Sequence, residues 1–150
     1  MAHYPTPEQV AATWLSTVPS MPLNKVATTL PADVSTWADT GFVTVTTVGG
    51  SPKSIHVPVR EPVIQIDVWA ANPNSPKPPW GRAGSLMQAI VDFTYYTEQP
   101  GVLYIRPGFY QVRVMSVFPI VEPRRIPGDE AGFARYQMDM AFSYALAAAA

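Results

Sequence analysis

The sequence predicts an α+β fold: a mostly antiparallel sheet with one core helix packed on a face, an N-terminal helix, and long hairpin arms. Two observations predict it. Apolar and polar residues alternate along several segments, as in half-buried strands, whereas two other segments repeat their apolar residues every three or four positions, as in helices. The 150 residues show no internal repeat or linker, so we expect a single domain over residues 1–150.

The composition indicates a surface that is partly covered by other subunits. Charged residues make up 14% of the chain, against roughly 25% in a typical soluble protein, while 47% are hydrophobic. Contacts between obligate subunits are depleted in charge. The net charge of −1 and the scattered basic residues give no phosphate-gripping surface, so specific nucleic-acid binding is not expected.

The absence of cysteine excludes disulfides, thiol catalysis and thiolate metal sites. The opening residues lack a basic stretch followed by an apolar one, and no run of 18 apolar residues occurs. We therefore expect a soluble protein without a membrane partner.

The first helix is predicted by its start signals. Thr6 suits the N-cap, Pro7 the first helical position, and Gln9 completes a capping box. The helix should run to about Thr17 and bury the face of Val10, Trp14 and Val18. Beyond the prolines that end it, residues 19–40 are less legible, with one possible short helix after Pro31.

Alternation with period two begins at Phe42. Residues 42–48 and 55–59 predict a β-hairpin around the turn GGSPKS, kept near a sheet edge by Pro52 and Pro58. The segment 62–71 predicts a further strand.

Residues 72–80 hold four prolines in nine positions and predict a stiff projecting loop. The next segment, 81–96, predicts the core helix, with Leu86, Ile90 and Phe93 on its apolar stripe.

Three strands close the chain, at 102–105, 109–118 and 133–146, and the last two should pair. Between them, residues 119–131 predict a second projecting arm. This arm carries the main charge cluster: Glu122, Arg124, Arg125, Asp129 and Glu130.

Few residues suggest catalysis. A hydrolase can be drawn from Ser54, His56 and Asp67, but a lone strand histidine is more often structural. The GGSPKS segment lacks the spacing of a phosphate-binding loop and fits a hairpin turn.

Asp67 and Asp139 form the one constellation worth weighing, because both lie mid-strand and two close carboxylates can act as acid and base or hold a cation. The neighbouring polar positions on the same strands favour another interpretation, a solvated or subunit-facing sheet surface. The residues on this alternating face are Gln65, Asp67, Gln111, Arg113, Arg135, Gln137 and Asp139.

Three stretches, VIQIDVWAA at 63–71, SLMQAIVDFTYY at 85–96 and RYQMDMAFSY at 135–144, resemble the tail terminator (tail completion) proteins of long-tailed bacteriophages. The resemblance covers roughly the last ninety residues. It implies a small α+β subunit that forms a hexameric ring at the head-proximal end of the tail tube.

The resemblance further implies a virion location at the tail–neck junction, after assembly in the host cytoplasm. The implied partners are other copies of the chain, the tail tube protein and a head-closure or connector protein, with DNA passing through the lumen without specific binding. No enzymatic activity, cofactor or metal is expected. The candidate subunit-contact residues are Gln65, Asp67, Arg113, Arg124, Arg125, Asp129, Glu130, Arg135, Gln137 and Asp139.

Two alternatives stay open. The chain could be another neck or tail component, such as a head-closure stopper or a tube subunit, or a small hydrolase or metal-dependent enzyme that uses Asp67 and Asp139.

Overall fold

A computed structural model describes residues 5–22, 24–54, 57–95, 101–105, 110–127 and 132–147. The α-helices are α1 (Pro7–Leu15) and α2 (Trp80–Tyr95), and a short 3-10 helix spans Val34–Thr36. The strands are β1 (Val26–Ala27), β2 (Phe42–Ser54), β3 (Val57–Ala71), β4 (Val102–Ile105), β5 (Tyr110–Arg125) and β6 (Phe133–Ala147). The described strands form one six-stranded sheet in the order β1-β2-β3-β6-β5-β4, antiparallel except for the short β1–β2 pair. The predicted α+β fold is confirmed.

Helix α1 begins as its sequence signals predict. The Thr6 hydroxyl accepts a hydrogen bond from the Gln9 backbone N–H at 3.2 Å, and the Gln9 side chain accepts one from the Thr6 N–H at 2.7 Å. The helix ends at Leu15, two residues earlier than expected, and its face of Val10, Trp14 and Leu15 is fully buried.

Glu8 links the first turn of α1 to strand β2 by hydrogen bonds. Its carboxylate accepts hydrogen bonds from the Thr47 hydroxyl at 2.8 Å and the Thr47 backbone N–H at 3.4 Å. Burial opposes ionisation of Glu8, but these bonds, with those from its own backbone and from Thr6, lower its pKa below the usual 4.5. The Glu8 carboxylate thus joins the start of α1 to the backbone of β2.

Both helices pack on the same face of the sheet and make the main core. Trp14 lies at its centre, with ring centroids 5.3 Å from Phe93 of α2 and 5.7 Å from Phe142 of β6. The stripe predicted on α2 is buried, although Tyr95 at its end is 74% exposed. Burial raises the pKa of Tyr144 to about 12, against the lowering effect of Arg60.

The β2–β3 hairpin is longer than predicted. The sequence placed a turn at residues 49–54 and a separate strand at 62–71, whereas β2 continues to Ser54 and pairs with β3 along its whole length, from Phe42 opposite Trp69 to Ser54 opposite Val57. A register shift between Thr47 and Gly49 absorbs the glycines, which therefore interrupt the ladder without ending the strand. Beyond Thr44, no described strand pairs with the side of β2 that faces away from β3. This agrees with the edge position that Pro52 predicted.

Strand β5 also exceeds its predicted end. Residues 119–125 were predicted to project as an arm, but they belong to β5 and pair with β6, from Pro119 opposite Met140 to Arg125 opposite Tyr136. Register shifts on either side of Val121 accommodate the two prolines. The other predicted loop is present as residues 72–79, and Trp80 begins α2.

The opposite face of the sheet, which we call the outer face, is covered at one end by a minor core. Residues 24–41 fold over this end and bury Trp37 against Phe42 and Phe133, with ring centroids 6.4 and 5.6 Å apart. The Trp37 indole N–H donates to the Pro31 carbonyl at 3.2 Å. The short helix expected after Pro31 is present in this layer as a 3-10 helix at Val34–Thr36, and the sequence left the rest of the layer unassigned.

No described helix combines the length and apolar character that crossing a membrane requires.

Candidate functional site

Asp67 is the centre of a polar cluster on the outer face. It lies in the middle of β3, opposite Gln137 of β6, and its side chain is only 7% exposed although α1 and α2 pack on the other face. Neighbouring side chains therefore bury it, and a buried carboxylate requires hydrogen-bond donors.

Three donors converge on this carboxylate. Asp67 Oδ1 accepts from Gln137 Nε2 at 3.1 Å and pairs with Arg135 Nε at 3.4 Å, while Oδ2 accepts from Gln65 Nε2 at 3.1 Å. All four residues lie at alternate positions of two adjacent antiparallel strands, which places them on one face. We call these residues, with Arg124, the Asp67 cluster.

Arg124 extends the cluster to a third strand. Its guanidinium donates to Gln137 Oε1 at 2.8 Å, and the amide of the same Gln137 donates to Asp67. Arg124 and Asp67 together fix the orientation of the Gln137 amide, because the Arg124 guanidinium needs an acceptor oxygen and the Asp67 carboxylate needs an N–H donor. A chain of hydrogen bonds thus joins β5, β6 and β3.

Aromatic and hydroxyl groups border the cluster toward the minor core. The Arg135 guanidinium lies 4.7 Å from the centroid of the Trp69 ring, within the range of a cation–π contact. The Trp69 indole N–H donates to the Thr44 hydroxyl at 3.0 Å. Neither Trp69 nor Thr44 was among the sequence candidates, although Trp69 follows Gln65 and Asp67 in the same alternation.

Asp139 lies apart from these donors. It pairs with Gln65, so it is a diagonal neighbour of Asp67, a position that places Cα atoms roughly 7–8 Å apart. No described residue donates a hydrogen bond to its carboxylate, and no three His, Asp or Glu side chains of the described residues gather as a cation site would need. The Asp67 oxygens face donors, so acid–base or metal chemistry gains no support from this geometry.

The remaining candidates are spread over the molecule. Arg113 lies on the outer face but opposite Ala145, eight positions along β6 from Gln137, or roughly 27 Å at ~3.4 Å per residue. Gln111 is farther still, opposite Ala147.

Arg125 points to the helix-covered side. There its guanidinium lies 4.9 Å from the Trp80 ring centroid and donates to the Tyr136 hydroxyl at 3.1 Å. Asp129 and Glu130, like His56, lie outside the described residues.

A row of exposed apolar side chains follows β5 beside the cluster and was not foreseen. Met115, Phe118 and Ile120 are each 50–52% exposed, and Val121 is 37% exposed. We call these four residues the β5 border. Met115 and Ile120 occupy the register shifts of β5, and bulges of this kind have no reliable signal in a single sequence.

The outer face can therefore do two things chemically. The Asp67 cluster is an internally satisfied polar network that fixes strand register, and the β5 border offers apolar surface to another molecule. The structure brings Gln65, Asp67, Arg135, Gln137 and Arg124 together and leaves Arg113, Arg125 and Asp139 out of the network.

Comparison with known proteins finds a likeness to solved structures. No protein-family model and no curated protein matches the sequence. A chain of the structure described as "Virion of native gene transfer agent (GTA) particle" superposes with a TM-score of 0.56 and 10% sequence identity, over 92% of this chain and 90% of that chain. At this identity the likeness establishes the fold: this chain shares its α+β architecture with a chain of a virion particle.

Proposed function

We propose that this chain is a structural virion protein that forms a ring at the head-proximal end of a phage tail tube, where it ends tube growth and joins tail to head. The observation that carries the proposal is the likeness of nearly the whole chain to a chain of a virion particle. Fold alone does not determine function, so the surface chemistry has to support it as well.

Two features of the outer face support a structural role. The Asp67 carboxylate accepts from Gln65 and Gln137 and pairs with Arg135, which suits a rigid sheet better than a reactive site. The β5 border leaves large apolar side chains exposed in a chain with 14% charged residues, as a subunit surface would.

The terminator position within the virion rests on the sequence resemblance of residues 63–71, 85–96 and 135–144. A tube of stacked identical rings presents the same surface after each addition, so growth stops reliably only when a different subunit caps that surface. The chain would be such a cap, a homo-hexameric ring that contacts the tube protein on one side and a head-closure or connector protein on the other.

Electron microscopy of particles produced without this chain tests the proposal. We expect DNA-filled heads without tails, together with free tails longer than normal, and restoration of normal particles when the wild-type gene is supplied in trans. Free tails of normal length beside leaking heads would instead identify a head-closure protein. A complete lack of tails would identify a tube subunit, and unchanged particles would contradict a virion role.

A further inference from the structure

Two connections of the chain meet at one end of the sheet. Residues 72–79, which join β3 to α2, hold four prolines, and we call them the proline loop. Residues 125–127 and 132–136 are the described residues at the end of the β5–β6 hairpin, and we call them the hairpin end. The sequence predicted a projecting loop and a projecting arm here as separate features, whereas the structure brings them into contact.

The start of the proline loop rests on Gly132. The Asn72 N–H donates to the Gly132 carbonyl at 2.8 Å and continues the β3–β6 pairing by one bond, while the Ser75 N–H donates to the Asn72 carbonyl at 3.1 Å and closes a turn. Gly132 has a φ of +84°, and a Cβ there would lie 2.8 Å from the carbonyl oxygens of Asn72 and Ser75. Only glycine therefore lets the hairpin end approach this turn so closely.

The other end of the proline loop is held by side chains. Trp80 directly follows the loop, and its ring centroid lies 5.7 Å from that of Tyr136 in an edge-to-face contact. The Arg125 guanidinium lies 4.9 Å from the Trp80 centroid and 6.0 Å from the Tyr136 centroid, and its Nε donates to the Tyr136 hydroxyl at 3.1 Å. Because a cation is attracted to the faces of nearby aromatic rings, Arg125 joins the hairpin end to the residue that begins α2.

Tyr136 is the fixed member of this group. It pairs with Val68 of β3, and its hydroxyl oxygen would lie 3.4 Å from a Cβ placed on Gly84 of α2. Arg125 lies opposite Tyr136 on β5 but is exposed to solvent. The contacts of Arg125 can therefore break while the sheet under Tyr136 stays paired.

We propose that Arg125 is a positioning residue that couples the proline loop to the hairpin end, so that the two segments lose their hydrogen bonds together while the central sheet stays paired. The loop is held at both of its ends by the same hairpin, at Gly132 and through Arg125. Four prolines make the loop stiff, so a movement at one end reaches the other. A molecule that contacts either segment therefore restrains both, because coupling between two sites acts equally in both directions. The inference does not depend on the virion role.

Hydrogen exchange of the full chain, resolved by residue, tests the coupling. The Ser75 amide reports on the proline loop, and the Ile126 amide, which donates to the Arg135 carbonyl at 2.9 Å, reports on the hairpin end. Arg125→Met keeps an unbranched side chain and removes the guanidinium. We expect both amides to exchange about tenfold faster, the effect of losing one cation–π contact and one hydrogen bond. The amides of the central β3–β6 ladder should exchange at the wild-type rate.

The matched control is Arg124→Met. Arg124 is the preceding residue of the same strand and is exposed as Arg125 is, but its guanidinium donates to Gln137 on the outer face. Exchange of the Ser75 amide should stay within about twofold of wild type in this control, as expected for a surface substitution away from the loop.

A second variant tests the coupling from the other side. Trp80→Leu removes the aromatic ring at the end of the loop, and it should accelerate exchange of the Ile126 amide, which belongs to the hairpin end. Because Arg125 acts on the loop through Trp80, adding Arg125→Met to Trp80→Leu should accelerate the Ser75 amide little further.

Four results would overturn the inference. Unchanged exchange at Ser75 in Arg125→Met would show that Arg125 holds only its own strand, and equal acceleration in Arg124→Met would show a general effect of substitution in β5. Fully additive effects of Arg125→Met and Trp80→Leu would show two independent contributions. Faster exchange throughout β3 and β6 in Arg125→Met would show that the two segments do not open separately from the sheet.

Discussion

At the scale of single residues, Asp67 shows how a charged group is accommodated on the sheet face opposite α1 and α2. Its two oxygens take three donors from two strands, and one of these donors, Gln137, is held in turn by Arg124. Removing an acceptor from such a network leaves several buried donors unsatisfied at once, so the cost should exceed that of a lone surface charge.

Replacing Asp67 by Asn should therefore destabilise the fold by about 1–3 kcal/mol, because the new amide N–H faces a donor and the Arg135 pair loses its charge. The matched control is Asp139→Asn, which changes the same chemical group on the same face where no described residue donates to it. The control should stay within ~0.5 kcal/mol of wild type. Urea denaturation measures both, and equal losses would contradict the network.

Glu8 gives a prediction for acid stability. Its pKa is lowered in the folded state, so the folded chain binds this proton less tightly than the unfolded chain does. The ionised Glu8 therefore stabilises the fold above pH 4.5, and this contribution is lost as pH falls through the lowered folded pKa. In Glu8→Gln, the midpoint of urea unfolding should fall less than in wild type between about pH 5 and pH 3. Parallel midpoint curves for the two proteins would contradict this assignment.

At the scale of elements, the β2–β3 hairpin depends on Gly50. Its φ is +96°, and a Cβ there would lie 2.6 Å from the Pro62 Cα and closer still to the Glu61 carbonyl oxygen. The adjacent Gly49 has open space and no left-handed backbone. The backbone at position 50 therefore requires glycine, and the backbone at position 49 does not.

Gly50→Ala should lower the free energy of unfolding by at least about 1–3 kcal/mol through the strained φ alone, and the clash of the new Cβ with the β3 backbone should lower it further. Gly49→Ala should be neutral or stabilising by up to ~1 kcal/mol, because it restricts only the unfolded chain. Thermal unfolding of the two variants side by side measures the difference. An unaltered Gly50→Ala protein would mean that the hairpin can shift its register at little cost.

Local signals predicted the elements whose boundaries are set by neighbouring residues. The capping box of Thr6 and Gln9 located α1, and the alternation of residues 133–146 located β6. The same rules placed a turn at 49–54 and an arm at 119–131, because glycine and proline usually end strands. In this fold, register shifts let both β2 and β5 continue through such residues, and only pairing with distant strands reveals this.

The alternation of polar and apolar residues along the strands also predicted part of the candidate site. The alternation placed Gln65, Asp67, Arg135 and Gln137 on one face, but it could not tell which arginine would reach Asp67. The β3–β6 register decides this: it brings Arg135 to Asp67 and leaves Arg113 far along the sheet. The short helix after Pro31 was expected, but the packing of Trp37 against the sheet could not be predicted, since most of residues 24–41 has no regular structure.

At the scale of the whole molecule, the sheet is covered on its two faces by different parts of the chain. The main core holds Trp14 between the helices and the sheet, and the minor core holds Trp37 under residues 24–41. Arg82 of α2 donates to the carbonyls of Ala38 and Ala71 at 2.7 and 3.2 Å and joins this layer to the helix side.

The two tryptophans should therefore report different unfolding events. Trp14→Ala should lower the global free energy of unfolding by about 3–5 kcal/mol, as large core truncations do. Trp37→Ala should act first on residues 24–41, whose amides should exchange faster while those of β3 and β6 stay protected. Hydrogen exchange resolved by residue distinguishes them, and uniform acceleration in Trp37→Ala would indicate one cooperative unit.

The register shifts of β5 also bear on aggregation of the free chain. Fibrils grow by adding extended segments of about six or seven residues to an uninterrupted strand. The longest regular runs of β5 against β6 are Gln111–Val114 and Ser116–Pro119, four residues each. Each regular stretch of β5 is thus shorter than such a segment, so we expect this exposed apolar strand to be a poor template for fibril growth.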